Sequence, residues 1–228
     1  MGFPVESNDE KMVDEVKLLG TTVSPYVWRV KIALHIKGIK YQILEEDLHN
    51  KSSQLVNYNP LYKKVPVLVH NGNPVSESLV IVEYIDNVWK QVPLLPQDPY
   101  QQAVARLWTK FIDEKCVPVL HKVFGKHGGE QVVAKACKNL QMLENELGAR
   151  GNKFFGGDNM NMIDIFVGFI AYWLPLLEEA TEMKIFTEDK FPNIMKWVHE
   201  FVNFEVVKEI LPPREAVLAY YNKWFRKG

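Results

Sequence analysis

The chain has 228 residues, 47% hydrophobic and 24% charged, which is long enough for one large domain or two small ones with real cores. Its 27 basic and 28 acidic side chains nearly cancel and no long basic run occurs, arguing against nucleic acid or an anionic membrane as partner. Residues 1–15 are polar and acidic without an apolar leader core, and no stretch approaches a membrane span, so a flexible N-terminal tail and a cytosolic location are expected.

Val16 to Gly20 reads as a short apolar strand. A helix is predicted from Pro25 to Lys37: Val27, Val30, Ala33 and Leu34 recur at helical spacing, Arg29, Lys31, His35 and Lys37 fill the other side, and Gly38 supplies a stop. Pro25 suits the first helical position, which makes Ser24 the N-cap. Free N–H groups and the positive end of the helix dipole there would stabilise an anion such as a thiolate. Ile39 to Ile43 reads as a second strand and Ser52 to Tyr58 as a weak helical turn. Pro66 to His70 and Asn73 to Val75 flank Asn71-Gly72, a hairpin signature. Leu79, Val82, Tyr84, Ile85 and Val88 then form the apolar stripe of a helix beginning near Glu77. Strand and helix patterns alternating in this way predict an α/β unit.

Residues 92–99 carry three prolines and read as a linker. Beyond it only helices are predicted: Tyr100 to about Val123, Gln131 to Leu147, Met162 to Glu179, Pro192 to Phe201, and Ala216 to Phe225. Asn161 and Asp164 form a capping box ahead of the run Ile165-Phe166-Val167, which marks the buried central helix of the second half. The two cysteines, Cys116 and Cys137, match neither a redox pair nor a zinc site and are expected reduced, on helices. His121 and His127 are too loosely spaced for one helix face and are assigned solvated or structural roles; no metal centre is predicted.

Three short pieces carry the chemistry: Ser24-Pro25, Lys64-Val65-Pro66 and Glu77-Ser78-Leu79. Together with Tyr26-Val27-Trp28-Arg29-Val30, Glu46-Asp47-Leu48-His49-Asn50-Lys51-Ser52 and Asn59-Pro60-Leu61-Tyr62-Lys63-Lys64-Val65-Pro66-Val67-Leu68, their order and spacing resemble the plant tau-class cytosolic glutathione transferases, from Val16 to the last helix. The resemblance implies a thioredoxin-like N-terminal domain (16–91), the linker (92–99) and an all-helical C-terminal domain (100–228) contributing the electrophile site. It also implies a homodimer, no nucleic-acid or membrane partner, and a role in detoxification and stress response.

On the same resemblance, glutathione is the co-substrate and small hydrophobic electrophiles are its acceptors, with glutathione-dependent peroxide reduction as a side activity. Val65-Pro66 would be a cis peptide that pairs the backbone of Val65 with the tripeptide; from the residues alone, a trans proline opening an edge strand is the ordinary reading. Glu77 would meet the γ-glutamyl amino group and Ser78 its carboxylate; alone they read equally well as a helix start. Lys51 and Lys64 would face the glycyl carboxylate, although single lysines are usually surface residues. Ser24 would donate to the thiolate, or merely cap its helix. Arg29 is assigned to the domain interface or the helix. Tyr26, Phe111, Lys115, Trp173 and Tyr220 are candidate walls of the electrophile site, although aromatics at helical spacing are mostly core. Many tau-class chains carry Phe in place of Tyr26, and Trp-Pro in place of Thr22-Val23, which bears on the choice of electrophile. Two other readings use the same fold: a carrier of auxins, flavonoids or porphyrins, and an interaction domain without glutathione.

Overall fold

The computed structural model describes residues 14–125 and 128–226. The expected tail, apart from residues 14 and 15, and His127 lie outside them. The first half is a four-stranded sheet of order β2-β1-β3-β4, built from β1 (Val16–Gly20), β2 (Gln42–Glu45), β3 (Val67–His70) and β4 (Asn73–Ser76). β1 runs parallel to β2, with Leu18 opposite Ile43, and antiparallel to β3, with Leu18 opposite Leu68. The β3–β4 hairpin turns through Asn71 and Gly72, both at positive φ, as the sequence predicts.

Every residue of β3 is buried, the pattern of a strand covered on both faces. On one face Leu18 and Leu68 pack in the main core with α1 (Pro25–Ile36) and α3 (Ser78–Val88). On the other, Leu19, Val67 and Val69 meet Leu55 of α2 (Ser53–Tyr58). This is the thioredoxin-like arrangement implied by the resemblance.

The second strand begins later than the sequence suggests, at Gln42 rather than Ile39. The reason is the end of α1: the amide of Gly38 donates to the carbonyl of His35 and that of Ile39 to Leu34. That is the reciprocal pairing of a Schellman motif, with Gly38 at φ +67°. Lys37 therefore caps the helix, and Ile39 to Tyr41 complete its turn against the core before the backbone pairs with β1.

The second half is helical: α4 (Pro99–Phe111), a π-helical stretch (Ile112–Cys116), α5 (Val117–Val123), α6 (Glu130–Arg150), α7 (Met162–Thr181), α8 (Pro192–Asn203), α9 (Glu205–Glu209) and α10 (Arg214–Arg226). Sequence periodicity expected an unbroken helix from Tyr100 to Val123. The widened turn precedes Pro118, which has no N–H and whose ring would clash with the carbonyl four residues back in a regular helix. α9 was not predicted; it is a single short turn joined to α8 through Phe204.

α7 is the central helix, buried along most of its length, and starts in the predicted capping box. The carboxylate of Asp164 is fully buried and accepts from the amides of Phe155, Gly156 and Asn161 and from the indole of Trp197. Burial raises it to about 6, while those four donors pull it down.

The halves are locked together. Trp28 of α1 packs on Trp173 at 4.9 Å and donates to the carbonyl of Ile210, and Trp173 donates to that of Val23 at 3.1 Å. The intervening segment has no regular structure, but Leu94 and Leu95 are buried, and their amides donate to Asp86, which also pairs with Lys37.

Candidate functional site

Two adjoining cavities open where the N-termini of α1 and α3 meet the helical half. The first, about 380 Å³, is lined by Tyr26, Tyr62, Lys64, Val65, Pro66, Glu77, Ser78, Leu79 and Asp113. The second, about 330 Å³, shares Tyr26, Lys64 and Val65 and adds Ser24, Leu48, Lys51, Lys63, His121, Tyr220 and Tyr221 among others. The three sequence pieces Ser24-Pro25, Lys64-Val65-Pro66 and Glu77-Ser78-Leu79 are thus brought to one place.

Ser24 is positioned by a tight link from β1 to α1. An atom at the Cβ position of Gly20 would stand 2.5 Å from Val27 Cγ1, so the chain passes closely enough to require glycine. The amide of Ser24 donates to Thr21, and Glu45 accepts from the amide of Thr22. Ser24 has extended backbone geometry, and its Oγ accepts from the amide of Val27 at 3.3 Å, so it is the N-cap. A cap of this kind uses a lone pair of the hydroxyl and leaves its proton to donate.

The Val65-Pro66 peptide is cis. The loop before it is held by Asn59, which donates to the carbonyl of Lys64 and accepts from the amide of Tyr62. Glu77 has φ +72°, an unusual conformation for a side chain of its size and the kind of local strain that collects at binding sites. Ser78 opens α3, is buried, and accepts from Arg29 Nη1 at 3.3 Å.

Arg29 is itself buried. It pairs with Asp113 at 2.7 Å, donates to the carbonyl of Phe166, and lies over the rings of Phe166 and Tyr26. It joins both halves beneath the first cavity, as assigned from sequence. Burial raises the Tyr26 phenol, with Asp113 and Glu77 adding to the rise and Arg29 opposing it.

Of the electrophile-site candidates, Tyr26 and Tyr220 line the second cavity. Trp173 does not: it is fully buried against Trp28, with its indole spent on Val23. Phe111 packs edge-on against Trp108, and Lys115 is exposed; neither lines the two cavities. Both were placed by the family resemblance; the π-helical stretch, which begins just after Phe111 and contains Lys115, changes the phase of the residues beyond it. Asp113 and His121 are eight residues apart, yet with one residue absorbed by the wide turn they fall near the two-turn spacing of a single face. Asp113 lines the first cavity and His121 the second. Sequence reasoning missed both as site residues, along with Tyr62, Lys63, Leu48 and Tyr221. Pro118, a proline inside a helical pattern, was the available signal for the change of phase.

Both cysteines are free, and burial pushes the Cys116 thiol up to about 12, leaving it inert. Among the described residues there is no cluster of His, Cys, Asp and Glu suited to a metal ion and no helix long and apolar enough to cross a membrane.

Such a site can bind a zwitterion. The N-terminus of α3, with Ser78 and Arg29 behind it, suits a carboxylate, while Glu77 and Asp113 suit an ammonium group. Lys51, Lys63 and Lys64 suit a second carboxylate, and Ser24 suits an anion lying between the cavities.

Residues 14–87 match the glutathione S-transferase N-terminal domain and residues 107–205 the C-terminal domain. A probable glutathione S-transferase of Glycine max is 51% identical over 92% of this chain and 93% of its own. Among solved structures, the tau-class glutathione S-transferase of mango, Mangifera indica, superposes with a TM-score of 0.86 at 38% identity, covering 92% of this chain and 98% of that one. A rice glutathione transferase, solved in complex with glutathione, gives 0.84 at 31% identity, covering 94% and 98%.

Proposed function

The chain belongs to the tau class of the glutathione S-transferase family, and from that premise we propose that it conjugates the glutathione thiolate to hydrophobic electrophiles, with Ser24 as the residue that stabilises the thiolate. The observation that carries this reading is the Ser24 hydroxyl, whose cap bond leaves its proton available at a helix N-terminus in the wall of the second cavity. A free thiol with a pKa of about 8.5 is only a few per cent ionised at neutral pH. Lowering it to about 6.5 corresponds to ~2.7 kcal/mol in favour of the thiolate. A hydrogen bond from a hydroxyl together with the α1 dipole is of the right order to supply that.

In this reading the γ-glutamyl end of glutathione lies in the first cavity, its carboxylate on Ser78 and the α3 N-terminus and its amino group between Glu77 and Asp113. The backbone of Val65, held next to Pro66, pairs with the cysteinyl unit. Lys51 and Lys64 face the glycyl carboxylate. The electrophile lies beyond the sulfur in the second cavity, against Tyr26 and Tyr220. Attack forms the carbon–sulfur bond, and the leaving group departs with its electron pair or, in an addition, the acceptor takes up a proton.

We further propose that the chain divides at residues 92–99 and acts in the cytosol as a homodimer without nucleic-acid or membrane partners. Leu61, Tyr62 and Val80 of the first half and Leu107 of the second are exposed apolar side chains that pairing one half with its partner's other half would cover. Sedimentation at increasing dilution tests the pairing.

The reaction is tested by chlorodinitrobenzene conjugation with wild type and Ser24→Ala. A thiolate donor predicts a fall in kcat of at least about tenfold with the KM for glutathione far less affected. Full activity in Ser24→Ala overturns the assignment.

A further inference from the structure

We propose that His121 is a catalytic residue of the electrophile site, donating its imidazole N–H to the oxygen of acceptors activated by a conjugated carbonyl or nitro group and thereby favouring that class of acceptor. The proposal rests on the thiolate-transfer reading above and names the acceptor chemistry of the same site.

His121 stands on α5 and lines the cavity that contains Ser24. Its ring packs at a tilt of 50° against Phe169, with centroids 5.3 Å apart, which restrains the imidazole in the cavity wall. Neither ring nitrogen has a hydrogen-bond partner among the described residues. His121 is half-buried and its ring nitrogens are left to solvent, so a ligand oxygen in the cavity would take the place of water without breaking a bond within the protein. Burial holds the imidazole below its usual range, so near neutral pH it is uncharged, with one donor and one acceptor nitrogen. The charged and titratable groups sharing its cavity are Lys51, Lys63, Lys64, Tyr26, Tyr220 and Tyr221. Lys51 and Lys64 belong to the glycyl end of glutathione in the proposed pose, and Lys63 adjoins them in sequence, whereas His121 comes from the helical half that borders the acceptor.

The step balances without an added reactant. In an α,β-unsaturated ketone, the thiolate lone pair forms the bond to the β-carbon while the π pair moves onto the carbonyl oxygen as an enolate. The His121 N–H bonds that oxyanion without giving up its proton. The α-carbon then takes a proton from water, and the hydroxide formed is neutralised by the proton glutathione released on ionising. In a nitroaryl chloride, the same attack places charge on the nitro oxygens before chloride leaves with its bonding pair. Benzyl chloride reacts by direct displacement and builds no oxyanion, so it has no use for the donor.

The test measures kcat and KM for an unsaturated ketone, chlorodinitrobenzene and benzyl chloride at saturating glutathione, with wild type, His121→Leu, His121→Gln, Tyr221→Phe and Ser24→Ala. We expect His121→Leu to lower kcat on the ketone and the nitroarene by about ten- to a hundredfold while benzyl chloride turnover falls by less than about threefold. His121→Gln, which keeps an N–H donor, should recover most of the loss. Equal losses on all three acceptors, no loss on any, or selectivity that follows Tyr221→Phe instead would overturn the proposal while leaving the transferase reading intact. A wild-type chain that turns over none of the three, or Ser24→Ala at full rate on all of them, overturns the reading on which the proposal rests.

Discussion

Arg29 and Asp113 form an ion pair at 2.7 Å across the two halves of the molecule, and the same guanidinium nitrogen reaches Ser78 Oγ at 3.3 Å. One buried cation thus ties the helical half to the N-terminus of α3. Arg29→Met keeps much of the volume but leaves Asp113 beside a dry surface. We predict a loss of about 3 kcal/mol in denaturant unfolding, the cost of breaking a buried pair, and a raised KM for glutathione because Ser78 loses its partner. A change confined to stability, with KM unmoved, would separate the pair from the binding of the γ-glutamyl end.

Gly20→Ala puts a methyl group where 2.5 Å separates it from Val27 Cγ1. Val27 is buried and belongs to the helix that Ser24 caps. The clash should cost about 1–3 kcal/mol by overpacking. It should also lower kcat for conjugation, since the turn carrying Ser24 must move. Thermal unfolding and steady-state kinetics on one preparation check both.

Ser24→Cys places a thiol at the same helix N-terminus, where its own pKa falls. With glutathione disulfide, the cysteine thiolate should attack one sulfur, form a protein–glutathione disulfide and release glutathione thiolate. Intact-mass spectrometry should show one glutathionyl adduct that dithiothreitol removes, mapped to residue 24. Conjugation of chlorodinitrobenzene should fall by at least about tenfold.

Asp164 predicts a pH dependence of stability. Burial raises it from the ordinary 3.8 to about 6, so the native state holds this proton more tightly than the unfolded chain. The associated stabilisation is full below the unfolded value and is lost as pH rises through about 6. Compared with Asp164→Asn, the wild type should therefore lose up to about 3 kcal/mol of its relative stability between acid and neutral pH. Urea unfolding of both proteins across that window measures it.

What could be read from the amino acids was whatever a local pattern carries. The cap at Ser24, the hairpin at Asn71-Gly72 and the capping box at Asn161 and Asp164 are each decided within a few residues, and each was legible. The start of β2 was not, because Ile39, Lys40 and Tyr41 alternate apolar and polar as a half-buried strand does, while the turn at Gly38 claims them. Trp173 was assigned to a cavity wall through the family resemblance, while its helical spacing pointed to core, and it is buried against Trp28. Arg29 read as an interface residue, but its bond to Ser78 depends on tertiary packing between residues 49 apart in sequence. His121 looked isolated because its cavity neighbours come from segments remote in the chain.

The wide turn at Ile112–Cys116 works as a phase setting for the long helical arm. Moved along that arm, it would rotate the intervening residues by roughly 100° about the axis. Different side chains would then look into the clefts, with none of the original cleft residues replaced. A relative could thus acquire a new appetite for substrates by sliding one loose coil, with its proline, along an otherwise unaltered spiral.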